Sequence, residues 1–395
     1  MDKMILIKYG ELTTKKANRN LFISHLYKDI KDKLKDYSIN IIKDNSRMYI
    51  ETNDDIESIT NILTKVFGIH SIVIAYKVNN NTDIIKEKVL EVVKNINFKT
   101  FKVDTKRSYK EFPYTSMEFN NVIGGLILKN IPNISVDVHN PEYTLKLEIR
   151  NDYTYIYTKE IMGAGGYPNG VAGKGLLMLS GGIDSPVSGY LAMKRGIKLE
   201  CIYFESPPHT SIQAKNKVKS LVKKLTNYQS EIKLYVVNFT KIQEEIYKNA
   251  DPEYVITIMR RMMYRISEKI IKRNNLYVLI NGESVGQVAS QTLTSMNVIN
   301  NVTNIPVLRP VCCMDKLEII DIAKKIDTYD ISILPYEDCC TIFVPKHPVI
   351  NPNLSDAIKY EETFNYEEKI DEAIKNRLII EINDNQNENK YTSLL

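Results

Sequence analysis

Tryptophan is absent from this chain of 395 residues, and cysteine and histidine are scarce, with five of each. So thin a supply of thiols excludes a scaffold held together by disulfides. No run of about 18 apolar residues occurs, so no membrane-spanning helix is expected. The opening MDKMILIKYGEL has too short an apolar stretch for a secretory signal, and the expectation is a soluble, cytoplasmic protein. With 43% hydrophobic and 26% charged residues the chain is neither disordered nor fibrous. Its length implies two to four domains of roughly 100–200 residues, each able to bury a core.

Lysine, asparagine and isoleucine are abundant throughout, so only their local arrangement is informative. The net charge of +5 conceals an asymmetry. Residues 1–355 hold 48 Lys and Arg against 38 Asp and Glu, whereas residues 356–395 hold 5 against 10. A basic body suits a polyanionic partner, although basic excess also occurs on ordinary solvated surfaces.

The first segment alternates periods of two and 3.6 residues as β-α-β-β-α-β. Its elements are MILIKYG at 4–10, a helix over 16–35, SINIIKD and RMYIETN, a helix over 55–67, and IHSIVIAYKV. That order is ferredoxin-like. Residues 82–160 repeat the alternation, with helices over 82–96 and 116–129, the strand FKVDTKR, and strands near 134–138, 143–150 and 153–158. The glycine-dense GAGGYPNGVAGKG at 163–175 then marks a boundary.

Beyond it, LLMLSGGIDSPVSGYLAMKRG at 176–196 reads as an apolar strand, a Ser/Gly turn and a helix with Pro186 in its first turn. Gly181 and Gly182 let backbone approach a phosphate, Ser180 and Ser185 offer hydroxyls, and the helix N-terminus adds free N–H groups. The Lys of a Walker A loop is missing, which disfavours γ-phosphoryl transfer. Asp184 stands where a carboxylate could hold Mg2+, position a reacting oxygen, or cap the helix. Further strands (LECIYFE, IKLYVVNF, LYVLINGES) alternate with helices, as in a parallel sheet whose ligands sit at strand C-termini. Tyr203, Phe204, Gly282 and Glu283 fall at such ends. The helix bearing IMRRMMYRI carries Arg260, Arg261 and Arg265, of which at least one is expected to face phosphates, while its methionines belong to the core.

Four of the five cysteines are adjacent pairs, Cys312-Cys313 and Cys339-Cys340. Neighbouring thiolates on extended chain point apart, so no zinc site is expected. Cys201, inside LECIYFE, reads as a small core residue. Cys339 and Cys340 lie in a loop-like PYEDCCTIFVP, where a thiol beside cationic groups can serve as nucleophile or persulfide carrier.

SGGIDS resembles the PP-loop of the ATP pyrophosphatases. KYGEL, FKVDTKR, FESPPHTS, MRRMMYRI, NGESVGQVASQT, RPVCCMDKLEII and PYEDCCTIF, taken with it, resemble the tRNA 4-thiouridine synthetase (tRNA uracil 4-sulfurtransferase) family over nearly the whole chain. The resemblance implies an α/β and α+β multidomain fold: a ferredoxin-like domain at 1–56, a THUMP RNA-binding domain at 57–161 and a PP-loop adenylating domain with a parallel sheet at 172–355, while the charge count marks 356–395 as an acidic extension. It implies ATP and Mg2+ as cofactors and adenylation of uridine 8 of tRNA. Sulfur would come from a cysteine persulfide charged by a cysteine desulfurase. A second role would pass sulfur to the sulfur-carrier protein of the thiamine pathway. By the same resemblance Cys340, Asp184 and Lys316 are catalytic, and Met178, Leu179, Ser180, Gly181, Gly182, Ser185, Tyr203, Phe204, Arg260, Gly282 and Gln291 bind ATP.

No rhodanese domain with a second catalytic cysteine is recognised, and Glu205 stands where the family pattern has His. The resolving thiol is therefore Cys339, Cys312, Cys313, Cys201, a second molecule or an external reductant. Lys106, Arg107 and Lys110, with Tyr109 interleaved, form a candidate RNA patch or simply a solvated loop. Oligomeric state is not legible in the sequence, although a homodimer would let a bound tRNA reach a distant active site. The alternative function is an RNA-binding adenylating enzyme with a non-sulfur nucleophile.

Overall fold

The computed structural model describes residues 3–44, 46–94, 96–336, 338–339 and 347–383. The chain divides after Gly166 into two compact units.

In the first unit, β1 (Lys3–Lys8), α1 (Arg19–Lys33), β2 (Ile39–Lys43), β3 (Arg47–Thr52), α2 (Ile56–Leu63) and β4 (Ser71–Asn79) give the expected ferredoxin-like series. Their strands run β2-β3-β1-β4, all antiparallel. The start of α2 is fixed by Asp55, whose carboxylate accepts the N–H groups of Glu57 and Ser58. The chain continues through α3 (Thr82–Lys94), β5 (Thr100–Arg107), α4 (Ser116–Asn130), β6 (Ser135–Val136), β7 (Tyr143–Ile149), β8 (Tyr153–Tyr157) and β9 (Glu160–Met162). A capping box between Thr115 and Glu118 starts α4. Because β8 pairs with β4, the two series share one nine-stranded sheet. Ile85, Val89 and Val93 of α3 and Phe119, Ile123 and Ile127 of α4 recur at helical spacing and bury one stripe of each helix over β5 and β7.

The second unit contains β10 (Lys174–Met178), α5 (Asp184–Lys194), β11 (Lys198–Glu205), α6 (Ile212–Leu225), β12 (Glu231–Asn238), α7 (Thr240–Asn249), α8 (Val255–Arg273), β13 (Val278–Ile280), α9 (Leu293–Asn300), β14 (Val307–Leu308), α10 (Lys316–Lys325), α11 (Tyr329–Ser332), α12 (Leu354–Glu361), α13 (Tyr366–Lys375) and β15 (Leu378–Asn383). The sheet order is β14-β13-β10-β11-β12-β15. The chain winds outward from β10 through β11 to β12, then crosses to β13 on the other side of β10. Right-handed crossovers in opposite directions place the intervening helices on opposite faces. The first five strands pair in parallel, as expected.

The sixth strand is antiparallel and comes from the segment read as an acidic extension. Ile370, Ile374 and Ile382 of that segment are buried, the first two in the core cluster of α8. Its Glu361, 2% exposed, takes a two-pronged ion pair from Arg261 at 2.7 and 2.8 Å. The acidic balance of 356–395 therefore belongs partly to a packed layer. Charge counting missed this because its apolar residues are spaced at helical intervals among the carboxylates.

Candidate active site

The order of the strands reverses between β10 and β13, and ligand clefts in such sheets open beside that reversal. The Ser/Gly turn lies there. The hydroxyl of Ser185 accepts the Ser180 N–H at 3.0 Å, lies 3.2 Å from the Ser180 hydroxyl, and closes the turn on itself. The Gly182 N–H points to Ser180 Oγ at 3.3 Å. The helix behind the turn is buried over most of its surface, with Ser185 to Tyr190 all inside, so the surrounding packing holds the N-terminus of α5 at the turn. Gly282, just beyond β13, makes this approach possible. A Cβ there would stand 2.6 Å from the Ser185 backbone nitrogen, so only glycine lets the strand end touch the helix start.

A cleft is lined by Met178, Leu179, Ser180, Tyr203, Phe204, Arg260, Met263, Asp338 and Cys339. Six of the expected ATP residues thus meet in one place. The three arginines of α8 divide their work. Arg261 is buried and Arg265 joins it on Glu361, so both hold the fold. Arg260 faces the cleft and pairs with Glu283 at 2.5 Å. Glu283 also takes Arg309 at 2.7 Å and the Tyr264 hydroxyl at 3.2 Å. Burial opposes charge on Glu283, but Arg260 and Arg309 hold its carboxyl below the ordinary value. The result is a fixed anion that aims Arg260 across the cleft.

Asp184 does not cap the helix; Ile183 occupies that position, and Asp184 is the first helical residue. Its carboxylate instead meets Lys316 at 2.6 Å and the Gln287 side-chain amide at 3.0 Å. Residues 132 apart in sequence, Asp184 and Lys316, are therefore one unit at the mouth of the turn. Lys316 is positioned by a capping box in which Asp315 and Glu318 start α10. Gln291 is outside the lining of the cleft. Its side-chain oxygen accepts the Ser284 N–H at 3.3 Å and its carbonyl accepts the Gly286 N–H, so it shapes the loop that carries Gln287.

Among the thiols, Cys201 is a fully buried strand residue whose pKa burial drives up, matching the core reading. Cys339 lines the cleft, 4% exposed, and its carbonyl accepts the Gln243 amide. Cys312 and Cys313 lie with sulfurs 3.5 Å apart, and burial followed by the Cys313 thiol raises the Cys312 pKa. The expected persulfide carrier, Cys340, lies outside the described residues. In the first unit, Lys106 and Lys110 are exposed. Arg107 instead donates to the carbonyls of Lys110 and Phe112 at 3.0 and 3.2 Å, pinning the loop. Lys217, Asp338, Gln287 and Arg309 escaped the sequence reading. Lys217 is hidden among the lysines of α6, and Asp338 shows only as the residue before a cysteine pair.

A doubly wound sheet with a serine/glycine turn and a buried helix N-terminus at its reversal point defines a PP-loop domain of the ATP pyrophosphatase class. Here it follows a ferredoxin-like sheet continued by a second α/β series. The family model described as thiamine biosynthesis protein (ThiI) matches residues 170–366, the ThiI ferredoxin-like domain matches 4–73, and the THUMP domain matches 79–159. The chain belongs to the ThiI family. It is 50% identical over 373 residues to a probable tRNA sulfurtransferase of Thermoanaerobacter pseudethanolicus, covering 94% of this chain and 98% of that one. It is 52% identical over 395 residues to the probable tRNA sulfurtransferase of Halothermothrix orenii, covering 97% and 99%. A crystal structure of a 4-thiouridine synthetase in complex with RNA and bound ATP superposes with a TM-score of 0.89 at 36% identity, covering 97% of this chain and 100% of that one.

Proposed function

We propose that this chain is an ATP-dependent tRNA sulfurtransferase that converts uridine 8 of tRNA to 4-thiouridine. The observation that carries the reading is the cleft in which the serine/glycine turn, Arg260 and a cysteine-bearing segment converge. The 4-thiouridine synthetase neighbour with ATP and RNA bound supports the substrate pair.

The uracil O4 attacks the α-phosphorus of ATP and pyrophosphate departs, turning a poor leaving group into AMP. N–H groups of Gly181 and Gly182 and the N-terminus of α5 receive the pyrophosphate. Arg260 balances charge from the opposite wall. The apolar walls of Met178, Leu179, Tyr203 and Phe204 exclude water from the activated base. Lys316, held by Asp184, stands at the mouth where the reacting oxygen enters. Asp184, a carboxylate at the mouth of the turn that also holds Lys316 at 2.6 Å, is the residue that would offer an oxygen ligand to a Mg2+ ion bound with the nucleotide. When bound, that ion supplies neutralisation of the departing charge.

The outer sulfur of a Cys340 persulfide, loaded by a cysteine desulfurase, then attacks C4, and AMP leaves with the original oxygen. A second thiol attacks the inner sulfur, breaks the S–S bond and leaves a disulfide that an external dithiol must reduce. The family description as a thiamine biosynthesis protein supports a second role toward a sulfur-carrier protein.

The test is 4-thiouridine in tRNA from a deletion strain complemented with wild type, Cys340→Ser or Asp184→Ala. Both variants should fail, and Asp184→Ala alone should lose pyrophosphate release. Full 4-thiouridine in Cys340→Ser would overturn the persulfide assignment.

A further inference from the structure

The Gly181 amide is a donor on which a phosphate-binding turn depends, yet a side chain of the same chain already occupies it. Asp338 Oδ2 accepts the Gly181 N–H at 2.9 Å. A methyl group on Gly181 would stand 3.2 Å from Cδ and Cε of Lys217 and 3.3 Å from Asp338 Oδ1, so the carboxylate and the lysine stem together cover this face of the turn. Lys217 is only 6% exposed, and its ammonium donates to the Leu334 carbonyl at 2.8 Å. Burial pushes the Lys217 pKa down and the Asp338 pKa up, and each residue partly offsets the shift of the other. A carboxylate seated on a phosphate-turn amide, beside a buried cation, reproduces the chemistry of a bound phosphate oxygen.

Resting on the adenylating reading above, we infer that Asp338 and the pyrophosphate portion of ATP compete for the Gly181 amide, with Lys217 as the cation that both share. Nucleotide binding then expels Asp338 and shifts the adjoining Cys339, which lines the same cleft. Two anions cannot share one N–H and one ammonium without strong repulsion. Asp338 is thus a positioning residue: it stabilises the empty turn and links the nucleotide to the thiol-bearing segment. That order suits the chemistry, because sulfur is useful only once the base is adenylated.

The experiment uses the full chain, with inorganic pyrophosphate and MgATP as probes in calorimetry, and hydrogen exchange followed in a peptide covering 329–339. Asp338→Ala should bind pyrophosphate about tenfold tighter, and Asp338→Asn, which keeps an acceptor without the charge, should fall between it and wild type. Lys217→Met, which keeps the buried stem, should bind about tenfold more weakly. Pyrophosphate should speed exchange of the peptide in wild type, whereas in Asp338→Ala exchange should be fast without it. Pyrophosphate binding in Asp338→Ala no tighter than in wild type, or peptide exchange that ignores pyrophosphate in wild type, would make the carboxylate a fixed cap on the turn and overturn the inference alone. A wild-type chain that binds neither probe would overturn both the inference and the adenylating reading.

Discussion

Glu283 shows how much of the site rests on one buried carboxylate. It is 3% exposed and joins Arg260, Arg309 and Tyr264, with Asn281 donating to the Tyr264 hydroxyl behind it. Removing one partner from such a cluster leaves the others charged and unpaired, at a cost of about 3–5 kcal/mol. Glu283→Gln should therefore lower stability by that order and raise the KM for ATP through the released Arg260. The pH dependence has a definite sign. The folded pKa lies below the ordinary 4.5, so the contribution is complete above that value and is lost as pH falls through the lower folded value. The gap between the urea midpoints of wild type and Glu283→Gln should be constant near neutral pH and narrow as pH falls below 4.5. Parallel curves with a constant gap would sink this assignment.

At the scale of elements, α12, α13 and β15 complete the second unit. β15 pairs with six residues of β12 and covers what would otherwise be an open edge. Ile370, Ile374 and Ile382 contribute roughly 1.5–3 kcal/mol each by burial, which is a large part of the roughly 5–15 kcal/mol that holds a domain together. A chain ending at Asn365 should lose its cooperative unfolding transition, and Ile374→Ala in the full chain should cost about 2–5 kcal/mol. Circular dichroism during urea titration checks both. A truncated chain that unfolds at the wild-type midpoint would show the acidic segment to be an appendage after all.

At the scale of the whole molecule, the basic excess of the first 355 residues predicts a salt-dependent affinity for tRNA. Of the three cations in the candidate patch, Lys106 and Lys110 are exposed, whereas Arg107 is tied to backbone carbonyls. Replacing the two lysines by Gln should lower the slope of log affinity against log salt by about 1.4–1.8 without moving the thermal midpoint. Arg107→Gln should instead loosen the loop and lower the midpoint. An unchanged salt slope in the double lysine variant would place the RNA elsewhere on the chain.

The sequence alone determined what local physics determines. Period-2 and period-3.6 alternation disclosed the ferredoxin-like series, and the serine/glycine turn between an apolar strand and a Pro-initiated helix disclosed the candidate phosphate turn, because those signals lie within a few neighbouring residues. Asp184 and Lys316 were legible as separate candidates but not as an ion pair, since 132 residues separate them and only the winding of the sheet brings them together. The division of labour among Arg260, Arg261 and Arg265 depended on which side of α8 meets the cleft and which meets Glu361. Asp338 on the Gly181 amide, Lys217 beside it and β15 at the sheet edge were likewise decided by the tertiary structure. Each depends on burial and on partners distant in the chain, which composition and spacing do not encode.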